Sequence, residues 1–262
     1  PSGLQLNEDD FQYELDRRKP GQSKITTQRK ESDIARILSG VFEGKTTGAS
    51  ISVMVSNEDA KPHAYEHLKE LYRPSHADFT YEKKYGFRDW RGGGRASARE
   101  TIGRVAAGTI AKKLLIHWGN IQTIAWVEQI HDIKSSVDKK TVVVKQIEAS
   151  IVRCPDSRAS DEMIELIHKA RKSGDSVGGI IRAVVRNVPA GLGEPVFDKL
   201  TADLAKGLMS LPATRGVEFG LGFDSVKLKG SEHNDPFVMR EGVIRTDANR
   251  SGGIQGGISN GE

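Results

Sequence analysis

Residues 85 to 107, YGFRDWRGGGRASARETIGRVAA, concentrate the residue types that hold anions. Gly92, Gly93 and Gly94 stand between Arg88, Arg91, Arg95 and Arg99. Glycine admits positive φ and lets backbone N–H groups turn inward, and guanidinium carries a permanent charge. Ser97 and Glu100 have capping-box spacing, which predicts a helix from Ser97 with its first N–H groups aimed back at the loop. Nest, helix start and arginines together describe a site for a multiply charged anion such as a phosphate. The glycines lie side by side, so this is not the dinucleotide fingerprint, and no Gly-Lys-Ser/Thr closes a P-loop. His76, in RPSHAD, is a loop side chain able to give or take a proton near neutral pH. By residue type alone His76 is not set apart from His63, His67, His117, His131, His168 and His233, which read as structural or surface residues.

These residues need elements to position them. Residues 8 to 18 alternate in a helical manner, and Pro20 and Gly21 then open a polar loop from Gln22 to Arg29. Residues 49 to 56 read as a strand, and residues 61 to 90 as a long ordered loop carrying His76. The capped helix should run from Ser97 to about Trp118. Its Gly103, Ala106, Ala107, Gly108 and Ala111 predict a buried central helix approached closely by another helix or a ligand. Residues 121–130 and 142–152 read as strands. Ser160 should cap a second helix that Gly174 ends, with Lys169, Arg171 and Lys172 in its last turn. Residues 177–188 predict a strand with Arg182 and Arg186 on one face and Ile181, Ala183 and Val185 on the other. Residues 197–211 predict a third helix with a Leu200, Leu204, Leu208 stripe. Residues 217–228 read as a strand, and the glycine-rich tail from Asp247 as loop. Long alternating strands mixed with helices favour an α+β arrangement of antiparallel sheet on helices.

Composition narrows the classes. The chain has 262 residues, 37% apolar, and a formal net charge of +4. Its mean hydropathy is −0.46. No run approaches the roughly twenty apolar residues of a membrane span. The basic residues gather near glycines and prolines, which favours compact anions over a polynucleotide. Aromatics at 6% are sparse for a single-strand binder. Cys154 is the one cysteine, so no internal disulfide or thiolate zinc cluster forms, consistent with a reducing compartment, cytoplasm or organelle stroma.

The glycine–arginine segment resembles the signature of the chorismate synthase family. The resemblance continues through LDRRKPGQSKITTQR at 15–29, ILSGVFEGKTTG at 37–48, RPSHAD at 73–78, GDSVGG at 174–179, PAGLGEPVFDKL at 189–200 and GGIQGGISNG at 252–261. It is weaker from about Asn120 to Arg153. It implies a single domain over 1–262 with a helical layer sandwiched between antiparallel sheets, and a homotetramer. It implies a carbon–oxygen lyase that eliminates phosphate from 5-enolpyruvylshikimate 3-phosphate to give chorismate, with reduced FMN as cofactor and NADPH as an outside source of electrons.

Residue by residue, the resemblance assigns His76 to proton transfer. It assigns Arg95, Ala96, Ser97, Pro212, Ala213 and Gly256 to the flavin. Arg18 and Lys24 match positions that contact the phosphorylated ligand, and Arg73 and Arg99 are further candidates. Lys24 stands where many relatives carry arginine, and Ser75 where they carry glycine. The family's Gly-Glu-Ser-His-Gly stretch would precede Pro1. Its Lys-Pro-Thr and Arg-His-Asp segments would follow Glu262. The expectation is that the chain as given, lacking them, cannot run the full reaction at a normal rate. The competing reading is a non-catalytic module that binds nucleic acid or a phosphorylated metabolite.

Overall fold

The computed structural model describes residues 1–27, 31–58, 62–92 and 94–262, so Gln28 and Arg29 of the polar loop and Gly93 lie outside it. Its first half runs β1 (Ser2–Gln5), α1 (Glu8–Arg18), β2 (Ala35–Ser39), β3 (Val41–Phe42), β4 (Lys45–Thr47), β5 (Ser52–Val55), α2 (Asp78–Tyr85) and α3 (Thr101–Gly119). There follow β6 (Gln122–Ile130), β7 (Ile133–Lys134), α4 (Val144–Glu148), α5 (Ser157–Lys172), β8 (Gly179–Arg186) and α6 (Leu200–Met209). Short elements close the chain: α7 (Gly230–His233), β9 (Phe237–Arg240), β10 (Val243–Thr246), β11 (Ile254–Gln255) and β12 (Ile258–Ser259). Strand pairings are antiparallel, in the orders β1-β4-β3, β2-β5, β7-β6-β8, β9-β10 and β11-β12. The chain is α+β, as its alternation predicts.

α1 forms where its caps say it should. Asn7 accepts from the Asp10 N–H at 3.1 Å and Asp10 accepts from the Asn7 N–H at 2.9 Å. Acidic residues open the helix and Arg17 and Arg18 close it, which suits the macrodipole. Phe11 and Leu15, one turn apart, are buried with Leu6 and Ala35, and α3 adds Ile102, Val105, Ala106 and Ile110. A second core packs Ile124 and Trp126 of β6 against Val142 and Ile147, and a third packs Met163 and Ala159 of α5 on Val152 and Cys154.

Several expectations need correction. Ser97 caps a 3₁₀ turn over Ala98–Glu100, its Oγ accepting from the Arg99 N–H at 3.3 Å, and the α-helix starts only at Thr101. α3 is half-buried: a Cβ added at Gly103 or Gly108 would meet nothing within 4 Å, so its small residues line an open face. The 61–90 segment holds a 3₁₀ turn at Pro62–Leu68 and the helix α2. The 142–152 run is no strand; Val142 inserts into the core beside Trp126, and Gln146 accepts from the Val143 N–H at 3.0 Å to start α4. Asp156, not Ser160, caps α5, accepting from the Ala159 N–H at 3.2 Å. Residues 217–228 turn instead of extending, because Gly220 and Gly222 take φ of +61° and +54° ahead of a 3₁₀ turn. The tail carries the β11–β12 hairpin.

β8 has the predicted faces with an unexpected orientation. Val184 joins the second core on the arginine side, while Ile181 on the other side is 72% exposed. Arg182 binds Glu128 through Nη2 at 3.0 Å, and Arg186 donates to the Val142 carbonyl at 2.8 Å.

Candidate active site

The RPSHAD segment forms a tight turn. The His76 N–H donates to the Arg73 carbonyl at 3.2 Å, with Pro74 second and Ser75 third at φ +57°. Proline then a positive φ is the pattern of a type II turn, and explains why glycine suits the position Ser75 holds. The turn delivers Asp78 to the first residue of α2, with His76 just before it.

Asp78 is 3% exposed and sits at the centre of a cation cluster. Arg73 donates from Nε to Oδ2 at 2.8 Å, from Nη2 to Oδ1 at 2.8 Å and from its backbone N–H to Oδ2 at 3.1 Å. Arg88 Nη1 lies 3.5 Å and His76 Nδ1 3.0 Å from Oδ1. The Arg73 guanidinium, helped by its N–H and by His76, holds the Asp78 carboxyl far below the usual carboxylate range. Asp78 in turn raises the Arg73 guanidinium above its ordinary value.

His76, Asp78, Arg88, Gly94, Arg95 and Ala96 line a cavity of about 110 Å³. Whole small-molecule sites run to roughly 300–1,000 Å³, so this cavity suits one charged end of a ligand. The glycine loop reaches it through Gly94, at positive φ. The four loop arginines play different parts. Arg88, its side chain 5% exposed, donates to the carbonyls of Leu68, Lys69 and Leu71 and to Glu82, and stacks over the Tyr72 ring. Arg91 pairs with Asp89 at 3.0 Å. Arg99 turns to Asp33 at 3.1 Å, Glu31 at 3.5 Å and the Ser56 carbonyl at 2.8 Å. Arg95 alone of the four keeps its guanidinium without a partner among the described residues, and it lines the cavity.

A second charged cluster abuts the start of α3. Arg18 donates from Nη1 to Asp33 Oδ2 at 2.8 Å and from Nε to Thr101 Oγ1 at 3.2 Å. Arg18 and Arg99 therefore share one fully buried carboxylate, with Glu31 beside Arg99. Two cations against two anions leave the cluster near neutral.

The remaining candidates divide. Pro212 and Ala213 follow α6, whose end is tied to α3 because Arg104 donates to Ser210. Ala213 takes φ +66°. Gly256 is a hairpin-turn residue whose neighbour Gly257 accepts from the Leu200 N–H at 2.8 Å, at the opposite end of α6. Ten residues separate the two ends, about 15 Å of helix. Lys24 is exposed, and its carbonyl accepts from Arg171 at 2.6 Å. Sequence reasoning missed Asp78, although it lies two residues from His76 in the same hexapeptide. It also missed Asp33 and the Arg104–Ser210 link, for which no local signal exists.

An α+β chain with a histidine beside a clamped carboxylate, and a guanidinium unpaired among the described residues, around a small cavity has the groups that an enzyme acting on an anionic ligand needs. Comparison with known proteins narrows this. The chorismate synthase family model matches residues 1–262. The chain is 59% identical over 263 residues to the chorismate synthase of Trichodesmium erythraeum, covering 100% of this chain and 71% of that protein. It is 59% identical to that of Nostoc punctiforme and 57% to that of Synechocystis sp., covering 100% of this chain and 73% of each protein. A solved chorismate synthase structure superposes with a TM-score of 0.80 at 31% identity, over 100% of this chain and 75% of that one. The chain belongs to the chorismate synthase family and is a lyase. The non-catalytic binding module finds no support. Among the described residues, no helix is long and apolar enough to cross a membrane.

Proposed function

We propose that the chain eliminates phosphate from 5-enolpyruvylshikimate 3-phosphate to form chorismate, with reduced FMN bound at the loop before α3. The observation that supports this most is the Arg95 guanidinium, unpaired among the described residues, on the cavity that His76 also lines. The residues present fit a phosphorylated cofactor: a free guanidinium, glycines at positive φ and the capped start at Ser97 form one surface. Bound there, reduced FMN would supply transient electron donation to the substrate, with no net redox change.

The chain's own residues do the rest. Arg95, with Ala96 and Ser97, seats the cofactor, and Pro212 and Ala213 border it through the α6–α3 tie. His76 holds the proton to be moved. Arg18 and Arg99 hold the anionic substrate, oriented by Asp33. Lys24 joins the substrate set and Gly256 the flavin set by resemblance; Arg73 contributes through Asp78. In the substrate, the carbon–oxygen bond breaks with its electron pair leaving on phosphate. The C–H bond yields a proton and the new double bond.

The loop glycines are not spaced for a dinucleotide, so electrons reach the flavin from an outside donor, with NADPH as their ultimate source. We assign residues 1–262 to one domain working in the cytoplasm as a homotetramer. Exposed apolar side chains such as Phe197, 89% exposed, are the kind of surface a subunit contact covers. The decisive assay follows phosphate release anaerobically with dithionite-reduced FMN. Release with reduced flavin and none with oxidised flavin is expected. Equal release with both, or none with either from a version carrying the family's flanking segments, overturns the assignment. Sedimentation of the protein reads its oligomeric state.

A further inference from the structure

We infer that Asp78 is the positioning residue for His76, fixing the neutral imidazole with its proton on Nδ1 so that Nε2 is the atom that exchanges a proton in the cavity. Four observations carry this. Nδ1 lies 3.0 Å from Asp78 Oδ1 and is sealed from solvent, off the alignment of a finished hydrogen bond. Asp78 cannot turn away, because Arg73 grips both its oxygens and its backbone N–H adds a third bond. Arg88, itself pinned by three carbonyls, blocks the other approach to Oδ1. The ring lines the cavity, and its second nitrogen makes no hydrogen bond among the described residues.

The electrostatics agree. A carboxylate facing one ring nitrogen stabilises the tautomer that donates to it. Were Nδ1 unprotonated, its lone pair would point at a carboxylate in a buried setting, a repulsive pair of acceptors. Hydrogen bonds to catalytic groups often align only when a ligand binds, and the 3.0 Å separation leaves only an angular adjustment. A proton loaded on Nε2 can then leave toward the ligand, and the ring returns to the Nδ1–H form.

The turnover consequence rests on the reading of His76 as the proton-handling group; the tautomer does not. Selective ¹⁵N-histidine labelling with long-range ¹H–¹⁵N correlation, at a pH where the ring is neutral, reads the tautomer in the unaltered protein. Protonated Nδ1 and bare Nε2 are expected; an Nε2–H ring overturns the inference without any variant. Asp78→Asn should erode the Nδ1–H preference and lower kcat about 100-fold with KM within about threefold, and Asp78→Glu should restore most of it. A folded Asp78→Asn with unchanged kcat and tautomer overturns the inference. His76→Gln turning over at the normal rate would sink the proton-transfer reading and leave the tautomer result standing.

Discussion

Arg104 on α3 binds Ser210 twice, from Nε to Oγ at 3.2 Å and from Nη2 to the carbonyl at 3.0 Å. The pair fixes the end of α6, and with it Pro212 and Ala213, against the helix that the anion loop opens. Arg104→Ala should weaken FMN binding about fivefold, the effect of about 1 kcal/mol of lost hydrogen bonding. Flavin fluorescence titration measures this. An unchanged Kd would mean that Pro212 and Ala213 do not border the flavin.

Arg95 and Arg88 should behave oppositely although both line one cavity. Arg95→Ala removes a free guanidinium, so FMN affinity should fall about 10- to 100-fold, as for a charge-assisted bond of about 1.5–3 kcal/mol. Its Tm should hold. Arg88→Ala leaves three carbonyls and a buried carboxylate short of their partner and should cost about 3 kcal/mol, or roughly 10 °C in Tm. Calorimetry and titration on both variants separate the two roles.

Asp33 neutralises two arginines at once. Asp33→Asn should destabilise the fold by about 3 kcal/mol, because Arg18 and Arg99 would then face each other partly desolvated. Urea unfolding measures the loss. A change under about 0.5 kcal/mol would show that solvent already screens the pair.

Acid should expose the grip of Arg73 on Asp78. The folded-state carboxyl titrates below its unfolded value of about 3.9. Between the two values the unfolded chain binds more protons, so stability rises with pH. The contribution is complete above about pH 5 and drains away below about pH 4. The stability gap between the protein and Asp78→Asn should therefore narrow from pH 5 to pH 3. A constant gap would show that folding does not lower the titration of this carboxyl.

Ser75 occupies a left-handed conformation that glycine adopts freely. Ser75→Gly should raise stability by about 0.5 kcal/mol, roughly 1–2 °C in Tm, with turnover unchanged. A lower Tm would show that chain entropy outweighs the relieved strain.

What could be read in advance follows a physical line. α1, β6 and β8 carry their signals locally, in a reciprocal cap and in alternation, and they fold as predicted. The 142–152 run has the β-branched residues of a strand, but Val142 is buried beside Trp126 and Gln146 accepts from the Val143 N–H to start α4. In 217–228, backbone freedom at Gly220 and Gly222 overrides the pattern. The glycine loop was marked by its residue types and spacing, whereas His76 was singled out only by the family resemblance; that both line one cavity is what the structure adds. The fate of the arginines was not, because pairing depends on remote acids: Asp33 lies 66 positions before Arg99. Four arginines around a glycine loop suggest four anion contacts, yet three are engaged within the fold.

The Arg104–Ser210 tie spans 106 positions of chain. At about 5–20 residues per second, a ribosome needs about 5–20 s to deliver the second partner after the first. During that interval the nascent polypeptide carries its loop and its histidine before the end of α6 is there to dock on α3. The docking of α6 on α3 thus comes late in biosynthesis, after the residues that line the cavity, 76 to 96, have been made.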